Sequence, residues 1–137
     1  MNRDSVELAR VLLVDDDPTS RLTLQTVLTA GGYRVDAAAS AAEAVGKLDE
    51  EEYELVLTDL QMESPEAGLK VLAHARMMDY KPATALFTTY TQSRHRQTDQ
   101  PVLVEPEDVP ELLSRVAGLI SERATRKVQR QLRHTGN

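Results

Sequence analysis

The stretch that decides the fold is VLLVDDDP, at residues 11–18. Together with the preceding arginine, its apolar part predicts a short strand from Arg10 to Val14. An unbroken apolar run of this length is typical of a strand that is buried on both faces. Three aspartates end the run, and Asp17-Pro18 predicts a helix N-cap followed by proline at the first helical position. A buried strand that leads directly into a helix predicts a layered α/β structure.

The rest of the chain repeats this alternation. The first helix is predicted from an apolar stripe of Leu22, Leu24, Val27 and Leu28, and the third from the helical spacing of Leu69, Leu72, Ala73 and Arg76. Alternating strands and helices with short connections predict a doubly wound, five-stranded parallel sheet with helices on both faces. Further strands are predicted at residues 33–37, 53–58, 83–88 and 101–104. Further helices are predicted after the capping box at 40–43, over 66–79 and from 108 onward.

The amino-acid composition excludes several classes of protein and of binding site. The chain has 137 residues, which predicts one domain, and it contains no cysteine, which excludes disulfides and thiolate metal sites. Its 22 acidic residues outnumber its 16 basic ones, which argues against a nucleic-acid-binding role for the main body. No apolar run is long enough for a membrane span, and the first residues lack the apolar stretch of a signal peptide. We therefore expect a soluble, cytoplasmic protein that does not bind membranes.

Charge is divided unevenly along the chain. Residues 121–137 contain five arginine or lysine residues and one glutamate, whereas residues 1–120 are strongly acidic. Apolar residues at spacings of three and four continue as far as Leu132, so the last helix is predicted to run from about residue 108 towards His134. We therefore divide the chain into a domain and a basic helical extension. The extension is expected to bind an acidic partner, a second copy of the chain as a homodimer or, weakly, nucleic acid.

Carboxylates follow two of the predicted strands. Asp15 and Asp16 come directly after the first strand, and Asp59 follows the third. Ligands of doubly wound sheets bind at the carboxyl ends of the strands, so these three side chains are expected to converge there. Like charges that close are costly unless a divalent cation neutralises them, and oxygen ligands of this kind suit Mg²⁺. The pattern therefore predicts a magnesium site.

Four segments at strand ends together resemble the receiver domain of bacterial two-component response regulators, over roughly residues 8–120. They are VLLVDDDP at 11–18, ELVLTDLQM at 54–62, ALFTTY at 85–90 and an acidic-Pro step at 105–106. The resemblance implies a flavodoxin-like sheet and a phosphoryl group that passes to Asp59 from a sensor histidine kinase or a phosphotransfer protein. It implies a single-domain signalling module, not an enzyme, whose output is contact with a downstream protein.

The resemblance also implies roles for the residues around Asp59, which would itself contact the metal. Asp16 would bind Mg²⁺ directly and Asp15 mostly through water, and the backbone carbonyl of Gln61 would be a further ligand. Thr88 would hydrogen-bond the oxygens of the phosphoryl group in the activated state.

Two departures from the family pattern matter. Glu105 stands where the family carries a lysine that pairs first with the acids and then with the phosphoryl group. We therefore expect stronger dependence on the metal and weaker phosphoryl binding. Glu105 lies only 17 positions after Thr88, and residues 91–100 contain no apolar residue. The helix between the fourth and fifth strands is therefore predicted to be missing or reduced to a loop.

The missing lysine leaves a second interpretation open. In it the chain is a pseudo-receiver, with the same fold but acting as a phosphorylation-independent protein-interaction module. A remote alternative is a phosphatase of the haloacid-dehalogenase type, because Asp15-x-Asp17-x-Thr19 is similar to the first motif of that family. That family needs a later lysine on the same sheet, and no lysine lies between Lys81 and Lys127.

Overall fold

The computed structural model describes residues 8–59, 62–64, 66–87, 102–103 and 109–135. The strands are β1 (Arg10–Val14), β2 (Arg34–Ala38), β3 (Leu55–Asp59), β4 (Ala83–Phe87) and β5 (Val102–Leu103). The helices in the described ranges are α1 (Pro18–Ala30), α2 (Ala41–Glu50), α3 (Ala67–Arg76) and α4 (Val109–Thr135). All five strands are parallel and lie in the order β2-β1-β3-β4-β5. This is the flavodoxin-like order, so the predicted fold class is confirmed.

Strand β1 lies inside the core and is buried on both faces. Val11 and Leu13 pack with apolar side chains of α1 and α4, whereas Leu12 and Val14 pack with those of α2 and α3. All four side chains are completely buried. Because successive side chains of a strand point to opposite faces, one apolar run supplies both layers of the core.

Two helices begin at the capping residues that the sequence predicts. The Asp17 carboxylate accepts a hydrogen bond from the Ser20 backbone N–H at 2.8 Å, and Pro18 occupies the first turn of α1. At the start of α2, the Ser40 hydroxyl accepts a hydrogen bond from the Glu43 backbone N–H at 3.1 Å. These bonds satisfy N–H groups that the first turn of a helix leaves without a backbone partner.

The predicted apolar faces of α1 and α3 are wrong in part. Leu22 is 65% exposed and Leu69 is 49% exposed, so neither is a core residue. Small side chains let α3 approach the sheet closely, so packing distance, not the position of the largest apolar residue, decides which side faces inward. The buried side of α3 carries Ala67, Gly68, Val71, Leu72 and Ala75.

The last third of the chain ends in one long helix. Helix α4 runs for 27 residues from Val109 to Thr135, which agrees with the helix predicted from the apolar spacing. The division of the chain at residue 120 stays a prediction. The predicted loss of a helix between β4 and β5 falls on residues 88–101, which lie outside the described residues. Of the helices that the structure describes, none is both long and apolar enough to cross a membrane.

Gly68 allows α3 to lie against the end of β3. A Cβ atom on this residue would lie 2.8 Å from the backbone oxygen of Asp59 and 3.5 Å from the hydroxyl oxygen of Thr58. The first of these distances is shorter than van der Waals contact allows, so a larger residue requires the helix or the strand to move. Glycine at this position therefore sets the spacing between α3 and the end of β3.

We expect Gly68→Ala to destabilise the protein by about 1–3 kcal/mol, because α3 and the end of β3 must separate to admit the methyl group. Gly46→Ala is the matched control, since nothing lies within 4 Å of the Cβ position of Gly46 in α2. The control should stabilise the protein by about 0.5–1 kcal/mol, as alanine usually does when it replaces glycine in a helix. Urea unfolding measures both free energies, and equal stability of the two variants would contradict the close approach.

Candidate functional site

Three carboxylates meet at the carboxyl ends of β1 and β3. Asp15 and Asp16 follow β1 directly, and Asp59 is the last residue of β3. The two strands are adjacent and parallel, with Val14 paired to Thr58, so the residues that follow this pair lie side by side. One carboxylate oxygen from each aspartate lies within 4.8 Å of the other two. These three residues form the carboxylate cluster, and they converge as their positions in the sequence predict.

Asp15 is the most enclosed member of the carboxylate cluster. The residue is completely buried. Its Oδ1 accepts a hydrogen bond from the Asp17 backbone N–H at 3.0 Å. Its Oδ2 is buried and has no hydrogen-bond partner among the described residues. Buried polar atoms of folded proteins are nearly always hydrogen-bonded, because an unpartnered one is costly. The Oδ2 atom of Asp15 therefore indicates a ligand position.

Negative charge is crowded on the solvent-exposed side of the cluster. Desolvation raises the pKa of Asp16, and the charges of Asp15 and Glu63 raise it further. Glu63 is exposed, and its Oε2 accepts a hydrogen bond from the Ala41 backbone N–H at 3.1 Å, at the start of α2. A carboxylate whose pKa is raised by neighbouring acids is one whose ionised form a cation would stabilise.

Sequence reasoning missed Glu63 as a contributor to the site. The indication in the sequence was that Glu63 is an acidic residue in the segment that follows Asp59. The sequence alone does not indicate that this segment returns to the start of α2, where Glu63 contacts Ala41. Because of that return, its charge acts on Asp16, which lies far away along the chain.

The remaining candidate residues named from the sequence are Gln61, Thr88, Glu105 and Asp17. Gln61, Thr88 and Glu105 lie outside the described residues, so their roles stay predictions. Asp17 caps α1 through the Ser20 N–H at 2.8 Å and does not belong to the group of converging carboxylates found among the described residues. The phosphatase alternative requires this second aspartate beside the reacting group, so the geometry gives that alternative no support.

The donor set fits a small, hard divalent cation. The carboxylate cluster offers oxygen ligands only, which Mg²⁺ prefers while it keeps several waters. Two unit charges 4 Å apart repel by about 4 kcal/mol at an effective dielectric of about 20, so each pair of carboxylates gains from a cation. The unpartnered Oδ2 of Asp15 is the observation that supports this fit. A cation held here could also neutralise an anionic group brought to Asp59.

This chain is similar to known proteins in both sequence and fold. Residues 11–100 match the family model of the response regulator receiver domain. The sensory/regulatory protein RpfC of Xanthomonas campestris is 29% identical over 127 residues, which cover 86% of this chain and 17% of that protein. A receiver protein from Sinorhizobium medicae has a TM-score of 0.70 at 25% identity, covering 83% of this chain and 95% of that one. The response regulator TrrA of Thermotoga maritima, solved in complex with Mg²⁺-BeF, has a TM-score of 0.70 at 29% identity, covering 82% of this chain and 99% of that one.

These matches cover different shares of this chain and of the proteins that it resembles. The chain spans only 17% of the length of RpfC, so that match concerns one part of a longer protein. The family model covers residues 11–100, which is more than half of this chain and includes all of β1 except Arg10, all of β3 and the whole carboxylate cluster. The chain therefore belongs to the response regulator receiver domain family.

Proposed function

We propose that the protein is a signalling module in which Asp59 accepts a phosphoryl group in the presence of Mg²⁺. The carboxylate cluster carries this proposal, because its oxygens lie within 4.8 Å of one another and the buried Oδ2 of Asp15 has no partner among the described residues. In the proposal, the ion is held by Asp15, Asp16, Asp59 and the backbone carbonyl of Gln61. The bound ion supplies positive charge that offsets the charge of the phosphoryl oxygens.

The transfer is an in-line displacement at phosphorus. A carboxylate oxygen of Asp59 attacks the phosphorus of a phosphohistidine, a new O–P bond forms and the P–N bond breaks. The imidazole leaves with the bonding electron pair and takes up a proton. Such a transfer depends on positioning and charge compensation more than on acid–base chemistry. Asp59 suits this role because it ends a buried strand and lies beside two further carboxylates.

The donor in this proposal is a sensor histidine kinase or a phosphotransfer protein, and the output is contact with a downstream protein. Membership of the receiver family supports this assignment. The Mg²⁺-BeF complex of TrrA, which is 29% identical to this chain, supports the choice of ion. In the same proposal, the protein works in the cytoplasm and performs no catalytic turnover of its own.

Two residues outside the described part of the chain complete the proposal. Thr88 donates a hydrogen bond from its hydroxyl to a phosphoryl oxygen. Glu105 occupies the usual lysine position and brings a negative charge towards the phosphoryl group. Two unit charges 4 Å apart interact by about 4 kcal/mol at an effective dielectric of about 20. Because Glu105 repels the phosphoryl group where a lysine would attract it, the phosphoryl group is held less tightly than in a receiver that has the lysine.

Mg²⁺ should raise the unfolding temperature of the wild-type protein. An ion that binds only the folded state stabilises it by about 2.7 kcal/mol when its concentration is about a hundred times its dissociation constant. Asp15→Asn should be at least as stable as wild type without the ion, because it removes one of three crowded charges, and it should lose most of the Mg²⁺ response. Calorimetry across a Mg²⁺ titration measures both effects.

Asp17→Asn is the matched control for this experiment. It removes the same charge two residues away, and asparagine caps a helix about as well as aspartate. The Mg²⁺ response should therefore persist in this variant. Equal loss of the response in the Asp15 and Asp17 variants would contradict the assigned ligand position.

Incubation with acetyl phosphate and Mg²⁺ should add one phosphoryl group to the wild-type protein and none to Asp59→Asn. Intact-mass spectrometry measures the addition, and chelation of the metal with EDTA should prevent it. Beryllofluoride, which mimics a phosphoryl group, should change the tyrosine fluorescence of wild type only. If wild type takes up no phosphoryl group at any Mg²⁺ concentration, the proposal fails and the pseudo-receiver interpretation is favoured.

Glu105→Lys should raise the affinity for beryllofluoride by about tenfold or more, which corresponds to about 1.4 kcal/mol. The reason is that the variant replaces a repulsion with an attraction at the phosphoryl group. Glu111→Lys, which makes the same change of charge on an exposed position of α4, is the control. Titration calorimetry measures the affinities, and an unchanged value for the Glu105 variant would remove Glu105 from the site.

A further inference from the structure

Two surfaces of opposite charge lie at the other end of the sheet from the carboxylate cluster. Both border the connection between α3 and β4, residues 77–82. On one side of this connection, a cavity of about 420 Å³ opens towards α4, and we call it the basic cleft. The charged residues that line the basic cleft are Arg76, Lys81, Glu122, Arg123, Arg126 and Arg130.

Arg123 holds α4 against the connection. Its guanidinium donates hydrogen bonds to the backbone oxygen of Tyr80 at 2.7 Å and to that of Lys81 at 3.0 Å. Arg126 and Arg130 follow three and seven residues later, so the three arginines share one face of the helix. Neither Arg126 nor Arg130 forms an ion pair with any described residue. The basic cleft therefore presents cations that are free to pair with an anionic partner.

On the other side of the connection, a second cavity of about 560 Å³ forms what we call the acidic groove. Two of its carboxylates have partners within the chain. Asp49 pairs with His74, and Glu51 pairs with Arg10, each at 2.8 Å. The charged residues that line the acidic groove are Asp49, Glu50, Glu51, Glu52 and Asp79.

The remaining carboxylates of the acidic groove make its potential negative. Glu50, Glu52 and Asp79 form no ion pair with any part of the chain that the structure describes. Burial raises the pKa of the Tyr80 hydroxyl to about 12, and the charges of Glu52 and Asp49 add to this rise. The field of the groove therefore reaches the same connection that Arg123 contacts from the opposite side.

We propose that two copies of this chain associate as a symmetric dimer, with the basic cleft of each copy against the acidic groove of the other. Because both surfaces border residues 77–82, a two-fold axis near this connection brings both pairs of surfaces together at once. Such an arrangement closes on itself and stops at two copies. Each contact pairs three bases, Arg76, Arg126 and Arg130, with three acids, Glu50, Glu52 and Asp79.

Helix α4 is long enough to reach a second copy. Twelve residues follow Arg123 before the helix ends at Thr135, and they extend it by about 18 Å at 1.5 Å per residue. All side chains from 126 to 133 are exposed in the single chain.

A second copy fits these surfaces better than a nucleic acid or a phosphate-bearing ligand does. Phosphate groups are attracted by the basic cleft, but they are repelled by the acidic groove across the same connection. A second copy satisfies both surfaces in one contact, because charges of opposite sign then face each other on both sides of the axis.

Paired charge reversals test the dimer. The cleft variant carries Arg126→Glu and Arg130→Glu, and the groove variant carries Glu50→Lys and Glu52→Lys. In sedimentation velocity at about 0.05 M NaCl, wild type should be dimeric and each variant alone monomeric, because like charges then face each other. An equimolar mixture of the two variants should form dimers again. At about 1 M NaCl wild type should dissociate, because charges are screened within about 3 Å.

The control variant carries Arg34→Glu and Lys70→Glu, which changes the net charge as much as the cleft variant does but lies outside both surfaces. It should remain dimeric. Asp59→Asn should also remain dimeric, so this test does not depend on phosphoryl transfer to Asp59. Circular dichroism checks that every variant keeps its helices.

Four results would overturn the proposal. The first is that wild type is monomeric at low salt, and the second is that the cleft or groove variant alone dimerises as well as wild type. The third is that the mixture of the two variants does not form dimers, and the fourth is that species larger than a dimer form. The last would indicate head-to-tail contacts in place of a two-fold axis. Binding of inorganic tripolyphosphate to a wild type that stays monomeric would assign the basic cleft to a phosphate-bearing ligand.

Discussion

The burial of β1 on both faces is the constraint on which the rest of the structure depends. Val11 and Leu13 fill one layer of the core, and Leu12 and Val14 fill the other. A strand enclosed in this way has no solvated side, so the first polar residue after it, Asp15, is still completely buried. Because β3 runs parallel beside β1, its last residue lies next to that buried carboxylate. The packing that builds the core therefore also crowds negative charge at one edge of the sheet.

That crowding is unfavourable for the folded chain and useful for binding. Three carboxylates within 4.8 Å repel one another, and one buried oxygen of Asp15 has no partner among the described residues. The backbone holds this arrangement in place, since Gly68 allows α3 to press against the carbonyl oxygen of Asp59. A rigid edge with unbalanced charge is suited to an ion and an anionic group that arrive together. The carboxylate cluster therefore lowers the stability of the folded chain at the place where the proposed chemistry occurs.

Charge is also organised at the opposite edge of the sheet, where its arrangement is different. The carboxylate cluster has one sign of charge, whereas the connection between α3 and β4 separates a basic cleft from an acidic groove. Arg123 joins this connection to α4 through two backbone oxygens. Because the two charged regions lie at opposite ends of the strands, a contact at one end leaves the other accessible. The proposed phosphoryl transfer and the proposed self-association would therefore not obstruct each other in this fold.

Local signals in the sequence were sufficient to predict much of the fold and of the candidate site. Strands, helices and their caps depend on residues that are close together along the chain. The apolar run of β1, the caps at Asp17 and Ser40 and the order of the elements therefore predicted the fold class. That order also predicted the convergence of Asp15, Asp16 and Asp59. Only the tertiary structure decided which side of α3 is buried, because close approach to β3 favoured small residues there and left Leu69 exposed. It alone brought the charge of Glu63 to Asp16, and the arginines of α4 to the connection after α3. These contacts join residues far apart along the chain, and periodicity carries no information about distances between separate elements.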